Sequence, residues 1–195
     1  MTKPARLTRA ATFGNTPVPY TVSWSSEDRF FVAPCQYFGR LAICQPSSRG
    51  KGRPLFGKPH SQRQREAIAL GLCDLCGKPL KSRTRVSLSH ARPVGHGAEG
   101  LAILQVEPLL HRECAALSMR YCPSLRRDIS ASTLMVRQVT RSRAQCAIMS
   151  PEYVATVAGS PVKALGYAKV ELLDWVDRGE PWLMTAARIL GEMGR

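Results

Sequence analysis

The chain has 195 residues, a formal net charge of +14 and a hydrophobic fraction of 44%. A chain of this size can bury one sizeable core, or a small zinc module beside a second core, and its composition is that of a globular protein. It contains no run of about 18 apolar residues and begins without the apolar stretch of a signal peptide, so we expect a cytoplasmic protein that does not contact a membrane.

The first part of the chain predicts a basic arm and three short strands. Residues 1–19 are basic and contain prolines but little core-forming material, so we expect an arm that is disordered or docked. Short apolar runs at 20–24, 29–33 and 38–44 predict strands, the first two joined by a hairpin turn at 25–28. Residues 46–59 are rich in glycine, proline and basic residues, which predicts a loop.

A short helix is predicted after this loop. Residues 61–70 have a helical pattern, with Ser61 as the N-terminal cap and Gly71 as the end. One face of this helix turns to the core. Arg63 and Arg65 are then expected to point outward, where they can meet phosphates.

Two pairs of metal-ligand residues dominate the centre of the chain and are separated by the 34 residues 77–110. They are Cys73 with Cys76, and His111 with Cys114. Each pair places two ligands on one side of a tight turn or first helical turn, and together they complete the tetrahedral shell of a structural zinc. A redox role for the first pair would need a helix directly after it, which Pro79 prevents. The spacing therefore predicts one zinc site.

The segment between the pairs predicts the rest of a treble-clef zinc finger. Residues 84–90 alternate polar and apolar side chains and residues 101–107 form an apolar run, so we expect a β-hairpin with a glycine-rich tip. Residues 112–121 carry apolar side chains at helical spacing and stop before Pro123, which places His111 at a helix N-terminus.

The other histidines and cysteines leave alternatives. His90 and His96 lie on the predicted hairpin, and either could replace His111 as the fourth ligand, although the spacing favours His111. Seven cysteines, an odd number, argue against a closed disulfide framework. Cys122 falls at the predicted helix end, where we expect burial rather than reactivity.

The last part of the chain predicts a hairpin and two helices. Apolar runs at 134–140 and 145–149 predict strands around a basic turn at 141–143. Residues 162–177 have the spacing of an amphipathic helix, and residues 185–193 that of a last helix. We therefore predict an α+β protein in four parts. These are the arm at 1–19, an antiparallel β layer with a basic loop and short helix at 20–70, the treble-clef zinc module at 71–126, and a hairpin with C-terminal helices at 127–195.

The positive charge is concentrated around the predicted zinc module. Residues 49–92 contain eleven lysines and arginines against two acidic residues, whereas residues 161–195 are balanced. Such a cluster is expected of a protein that binds a nucleic-acid backbone, because each neutralised phosphate releases counterions. Phe56 is the only aromatic residue of the segment, which favours a duplex over stacked single-stranded bases. The predicted phosphate contacts are Arg53, Lys58, Arg63, Arg65, Lys81, Arg83 and Arg85.

Two segments carry a resemblance to a known group of proteins. GRPLFGKPHSQRQREAIALGLCDLCGKPL (52–80) and LLHRECAALSMRYCPSL (109–125) resemble uncharacterised zinc-binding proteins of actinobacteria and of their phages or mobile elements. The resemblance implies a phage or mobile-element setting and carries no activity with it.

A more distant resemblance concerns a class of enzymes. The pair at 73–76, a hairpin containing His90 and the segment 108–114 are similar to zinc-stapled HNH nucleases, which share the treble-clef core. That resemblance implies His90 as general base beside a divalent metal. In those enzymes an acidic or histidine residue usually precedes this histidine and an asparagine precedes the second ligand pair. Here Ser89 precedes His90, and Asn15 is the only asparagine, so a binding role is preferred.

The sequence as a whole predicts a zinc-stabilised basic protein that binds nucleic acid, duplex DNA first, with a regulatory role in a phage or mobile element. The alternative is a protein-interaction module for an acidic host or defence protein, with Trp175 and Trp182 in apolar anchoring positions. An HNH-like nuclease is the lesser alternative. The oligomeric state stays open.

Overall fold

The structure is a computed structural model that describes residues 10–81, 84–95 and 100–192, with side chains up to Ala186 in the last range. These residues form twelve strands, five α-helices and a 3-10 turn at 25–27. The strands are β1 (Thr12–Phe13), β2 (Thr16–Pro17), β3 (Val22–Trp24), β4 (Phe31–Cys35), β5 (Arg40–Cys44), β6 (Pro54–Pro59), β7 (Arg85–Ser89), β8 (Val94–Gly95), β9 (Leu101–Gln105), β10 (Leu110–His111), β11 (Met135–Met149) and β12 (Ala164–Arg178). The helices are α1 (Ser61–Leu70), α2 (Arg112–Tyr121), α3 (Pro123–Ser130), α4 (Pro151–Ala158) and α5 (Glu180–Glu192). The α+β class is confirmed.

A single mixed sheet of eight strands organises the molecule. Its order is β10-β7-β11-β12-β5-β4, with β9 also on β12 and β8 on β9. The central strand, β12, is antiparallel to β11 along most of its length and to β9 in its middle, and it is parallel to β5 at Leu165. Strands from early, middle and late parts of the chain therefore share one sheet.

The N-terminal strands pair differently from the expected pattern. β4 and β5 form an antiparallel hairpin, but β3 pairs with β6, which lies within the predicted loop at 46–59. The predicted hairpin turn at 25–28 is wrong because the buried Glu27 carboxylate accepts the Trp24 N–H at 2.8 Å and bends the chain away. Residues 12–17 form a docked two-strand hairpin, and Val18 behind it is fully buried. Residues 1–9 of the predicted arm lie outside the described residues.

Helix α1 has the predicted bounds but a different cap. Gly71 adopts the left-handed conformation, with φ 63° and ψ 46°, and ends the helix as expected. The N-terminal cap is His60, whose Nδ1 accepts the Arg63 N–H at 3.3 Å, so the prediction that Ser61 caps the helix is wrong. α1 lies against β12 and β5, on the face of the main sheet.

The hairpin predicted between the two ligand pairs is not formed as expected. β7 pairs with β10 and β11, whereas β9 pairs with β8 and β12. The strand that precedes the ligand-bearing helix is thus the two-residue β10. The apolar run at 101–107 instead supplies an additional strand next to β12.

The C-terminal predictions contain two errors of secondary structure. The predicted hairpin at 134–149 is one continuous strand, β11, which runs through the basic residues 141–143. The predicted helix at 162–177 is the strand β12. Ala168, Val170 and Leu172 alternate along β12 and are all buried, and pairing on both edges overrides the local helical spacing. α4 connects these two strands and was not foreseen.

Two apolar clusters fill the space on the sheet. One joins the ligand segment to α2 and to Leu183 of α5, and the other joins α1 to β9, β11 and β12. Trp182 packs against the first cluster and Trp175 against the second, so both tryptophans contribute to the core. Within the described chain, no helix is long and apolar enough to cross a bilayer.

Candidate metal centre and its basic surroundings

The first ligand pair lies on a tight turn directly after α1. The Cys73 N–H donates to the Lys78 carbonyl at 2.8 Å, and the Gly77 N–H donates to the Cys73 carbonyl at 2.8 Å. A bridge between Leu72 and Pro79 closes the base of the turn. We call residues 72–79 the cysteine turn.

Neighbouring segments fix the cysteine turn from two sides. The Tyr20 N–H donates to the Asp74 carbonyl at 2.7 Å, and the Asp74 N–H donates to the Leu109 carbonyl at 2.9 Å. The Tyr20 ring also lies against Gly77, where φ is +68° and an added Cβ would stand 2.8 Å from the ring. A glycine at this position lets the tyrosine pack directly on the backbone beside Cys76.

The second pair is positioned by the junction of β10 and α2. His111 ends β10, opposite Arg85 of β7, and α2 begins at the next residue. Cys114 therefore lies in the first turn of the helix, as the sequence predicted. Ala115 and Met119 are buried on the opposite side and anchor the helix to the first apolar cluster.

The four side chains converge on one point. Their ligand atoms all lie within 4.8 Å of one another, and they are Cys73, Cys76, His111 and Cys114. His111 Nδ1 lies 3.4 Å from Cys76 Sγ and 3.9 Å from Cys114 Sγ. Tetrahedral bonds of zinc length place nitrogen and sulfur ligands about 3.6 Å apart, between these two distances. The cluster could therefore hold a metal ion.

Groups outside the cluster orient its ligands. His111 Nε2 lies 3.1 Å from the Pro79 carbonyl, which fixes the Nε2–H tautomer and turns the Nδ1 lone pair toward the sulfurs. The His111 backbone N–H points at Cys73 Sγ from 3.4 Å. A carbonyl behind a ligating histidine and an N–H on a thiolate are the supports that metal sites use.

The electrostatics of the cluster favour a cation. Hydrogen bonding from the Cys114 thiol lowers the pKa of Cys73 well below its usual value against the effect of burial, and His111 adds to the lowering. The thiolate at Cys73 in turn raises the pKa of Cys114, with burial as the second cause, and it raises the pKa of His111. Three sulfurs so close resist deprotonating together unless a positive ion shares them.

Of the two alternatives to His111, one lies in the part of the chain that the structure describes. His90 is outside the cluster: its Nδ1 lies 3.2 Å from the Thr133 carbonyl and its Nε2 lies 3.4 Å from an Asp128 carboxylate oxygen. His96 lies outside the described residues. Cys122 is half-buried and not part of the cluster.

Two of the predicted phosphate contacts face inward, so the expectation that they point outward is wrong. Arg63 is 6% exposed and Arg65 is fully buried. Arg63 binds Glu27 and the carbonyls of Tyr20 and Val22. Arg65 donates to the carbonyls of Gly166 and Ile43 at 2.9 and 2.8 Å. Both arginines join α1 to strand ends, and neither projects outward to contact a duplex.

The other predicted contacts have mixed surroundings. Arg53 and Lys81 are exposed, and Lys58 is exposed but lies 3.3 Å from Asp28. Arg85 is half-buried and donates to the Ser142 hydroxyl at 3.3 Å. Arg83 lies outside the described residues.

Few of the described charged residues are buried. The buried charged residues among those described are Arg63, Arg65, Arg137, Glu27 and Glu171, which together carry one net positive charge. Almost all of the formal charge of +14 is therefore carried by the remaining residues. Two exposed lysines adjoin the ligand cluster: Lys78 is on the cysteine turn, and Lys81 comes two residues after its end.

Comparisons of the chain with protein-family models, with curated proteins and with solved structures find no match. The ligand cluster and the charges around it are therefore the features that bear on function.

Sequence reasoning missed the groups that support the site. Nothing in the pattern around Tyr20 or Pro79 marks them as neighbours of the cluster, because both act through packing or backbone atoms. The role of Glu27 could not be read from the sequence either, since Glu27 and Asp28 in a predicted turn are typical of solvated positions. The one available signal was Gly77, whose position directly after Cys76 is typical of a turn that needs positive φ.

Proposed function

We propose that the protein is a zinc-stabilised, basic nucleic-acid-binding protein with duplex DNA as its first target. Zinc is the metal class that three thiolates and one imidazole in tetrahedral spacing suit best. The ion closes the cysteine turn onto α2 and so joins two distant parts of the chain. The treble-clef assignment belongs to this proposal, and it is supported by the order of cysteine turn, β7 with β10, and ligand-bearing helix.

The observation that carries the nucleic-acid proposal is the placement of cations around the metal cluster. Lys78 and Lys81 are exposed on and after the cysteine turn, and Arg85 stands opposite the ligand His111 in the sheet. Arg85 reaches Ser142, and the exposed Arg141 precedes that residue in β11. Phosphate groups along a duplex would meet several of these cations at once, which is how weak single contacts sum to useful affinity.

The test measures duplex affinity across a salt series with zinc-loaded protein. A variant with Lys78, Lys81 and Arg141 all changed to glutamine is expected to bind at least about tenfold more weakly and to lower the salt slope by two to three. A matched variant neutralises three exposed cations near the β4 edge of the sheet: Arg29, Arg40 and Lys163. This matched variant should keep the duplex affinity and the salt slope of the parent protein. Equal slopes in both variants, or no binding by the parent protein at low salt, would refute the proposal.

A specific observation favours protein interaction as a second candidate. An apolar groove of about 630 Å³ runs beside the cysteine turn, and the exposed side chains of Phe56 and Tyr121 line it. An apolar partner segment could cover these rings. Partner binding that survives nuclease treatment and is lost in Phe56→Ser would replace the nucleic-acid proposal. The tryptophans expected as anchors are packed in the core and do not serve here.

The nuclease alternative has less support than it had from sequence. His90 is half-exposed, but its Nε2 is directed at Asp128 and its Nδ1 at Thr133, so neither nitrogen is free to activate water in this arrangement. An intact duplex after incubation with magnesium in the same assay would exclude it.

A further inference from the structure

A second, polar pocket lies on the opposite end of α1 from the cysteine turn. It has a volume of about 410 Å³, within the range of small-ligand sites. The side chains that matter for its chemistry are Tyr20, Tyr37, Arg49, Arg63, Arg65 and Glu66. None of them belongs to the metal cluster, and the surface proposed for nucleic acid does not include them.

Arg65 is a buried cation that forms no ion pair with any carboxylate in the described part of the chain. Its side chain is fully buried, and Nη1 and Nη2 donate to two backbone carbonyls and to the Cys44 sulfur at 3.5 Å. Its Nε has no hydrogen-bond partner among the described residues. A buried guanidinium whose charge is not matched is unfavourable, and an anion in the adjoining pocket would offset that cost.

Arg49 adds a second unmatched cation at the same pocket. Its guanidinium lies over the Tyr20 ring, 5.2 Å from the ring centre, and it forms no ion pair among the described residues. Partial burial and the nearby Arg63 lower the pKa of Arg49, which means that its surroundings disfavour the positive form. Arg63 itself is neutralised by Glu27.

The one carboxylate that lines the pocket is already engaged. Glu66 accepts the Tyr20 hydroxyl at 2.6 Å. Burial and this hydrogen bond raise the pKa of Tyr20, so the phenol stays protonated and continues to donate. The first turn of α1 also borders the pocket through Gln62, which adds the positive end of a ten-residue helix. Arg49 and Arg65, neither of which is in an ion pair among the described residues, therefore outnumber the one carboxylate, Glu66, and leave the pocket with a net positive charge.

We propose that this pocket binds the phosphate monoester of a small ligand, with Arg49 as its direct contact and the positive charge of the buried Arg65 behind the pocket wall. Guanidinium groups suit phosphate because their N–H groups match its oxygens in pairs. A phosphate monoester could belong to a free mononucleotide or to the 5′ end of a nucleic-acid strand. The proposal stands independently of duplex binding through the cysteine turn.

The experiment titrates the full chain with inorganic phosphate, adenosine 5′-monophosphate and adenosine by calorimetry. The two phosphate compounds should bind and compete with each other, and adenosine should not bind. Arg49→Gln should weaken binding by about tenfold or more, the loss expected for one charge-assisted contact. Arg40→Gln, an exposed change outside the pocket, should leave the affinity unchanged. Because Arg49 is exposed, its variant is expected to fold, which a thermal melt confirms.

Three results would overturn the proposal: no binding of either phosphate compound at millimolar concentration, equal binding of adenosine, or unchanged affinity in Arg49→Gln. Comparing the affinities of a 5′-phosphorylated oligonucleotide and its 5′-hydroxyl form distinguishes a strand end from a free mononucleotide as the source of the phosphate. Preference for the phosphorylated strand supports the pocket as a strand-end site. Equal strand binding with retained mononucleotide binding supports it as a site for the free compound.

Discussion

Arg63 and Glu27 form a buried ion pair with two parallel hydrogen bonds, Nη1 to Oε1 at 2.8 Å and Nη2 to Oε2 at 2.7 Å. The Glu27 oxygens also accept the N–H groups of Ser48 and Trp24, each at 2.8 Å. The pair thus ties α1 to the 3-10 turn and to the segment that leads into β6. A residue that the sequence placed on a phosphate-binding surface is instead the centre of an internal network.

Loss of Arg63 is expected to destabilise the fold strongly. Arg63→Met leaves the Glu27 carboxylate buried without a cation, which should lower the free energy of unfolding by about 3–5 kcal/mol. Urea denaturation of the parent and the variant at neutral pH measures this loss of unfolding free energy. The exposed pair of Lys58 and Asp28, at 3.3 Å, is the control, and Lys58→Met should change stability by less than about 1 kcal/mol. Similar losses in both variants would contradict the prediction.

The same pair predicts a dependence of stability on pH. Burial alone would raise the pKa of Glu27, but Arg63 and the N–H groups of Ser48 and Trp24 outweigh it and bring the pKa to about 2 from 4.5. The unfolded chain therefore binds the proton more readily. The contribution of Glu27 is present above pH 4.5 and is lost as the pH falls toward 2, by roughly 3 kcal/mol.

Comparison with Glu27→Gln isolates this contribution, because protonation of the metal ligands affects both proteins alike. Unfolding free energies at pH 6 and pH 3 are measured for each. The parent should lose more stability than the variant across this interval. A parallel decline in both would show that Glu27 does not carry the effect.

Metal content gives a direct test of the ligand cluster. The purified protein should contain about one zinc ion per chain by elemental analysis. Cys114→Ser should reduce the bound metal and the melting temperature together, because the ion joins the cysteine turn to α2. Cys122→Ser changes a cysteine outside the cluster and should alter neither. Full metal content in Cys114→Ser would remove that residue from the site.

Two glycines with similar backbone angles should respond differently to substitution. Gly71 and Gly77 have φ of +63° and +68°, but only Gly77 has a ring against it. Gly71→Ala should lower stability by about 1–2 kcal/mol, from the left-handed backbone alone. Gly77→Ala must also displace Tyr20, so it should lose about 2–4 kcal/mol and weaken metal retention. Thermal melts with and without a chelator would distinguish the two, and equal losses would argue against the tyrosine contact.

The sequence predicted the elements whose boundaries are set by local chemistry. α1 ends at a glycine in the left-handed conformation, and α2 ends just before Pro123, so both helices were found with their observed bounds. The two ligand pairs were found for a similar reason, since their spacing is itself the signal. In the structure, residues 77–110 bring the second ligand pair next to the first, so that the four side chains form one cluster.

The predictions that failed concern residues whose conformation is set by contacts with segments distant in the sequence. Residues 162–177 have apolar side chains at helical spacing, yet neighbouring strands on both edges make them a strand. The local sequence also could not show which way the Arg63 side chain points, because its partner Glu27 is 36 residues earlier in the chain. Arg65 finds its acceptors in β5 and β12, and only the completed sheet brings those carbonyls to it.

The central position of β12 has a consequence for how the protein is made. Among the described strands it is the last to leave the ribosome, yet β5, β9 and β11 all need it as a neighbour. The cysteine turn and α2 can meet around an ion while the nascent chain is still growing, but the sheet edges stay open until residue 178 is available. We expect a slow, late closure dominated by long-range pairing, during which the early β4–β5 hairpin depends on chaperones to avoid pairing with other chains.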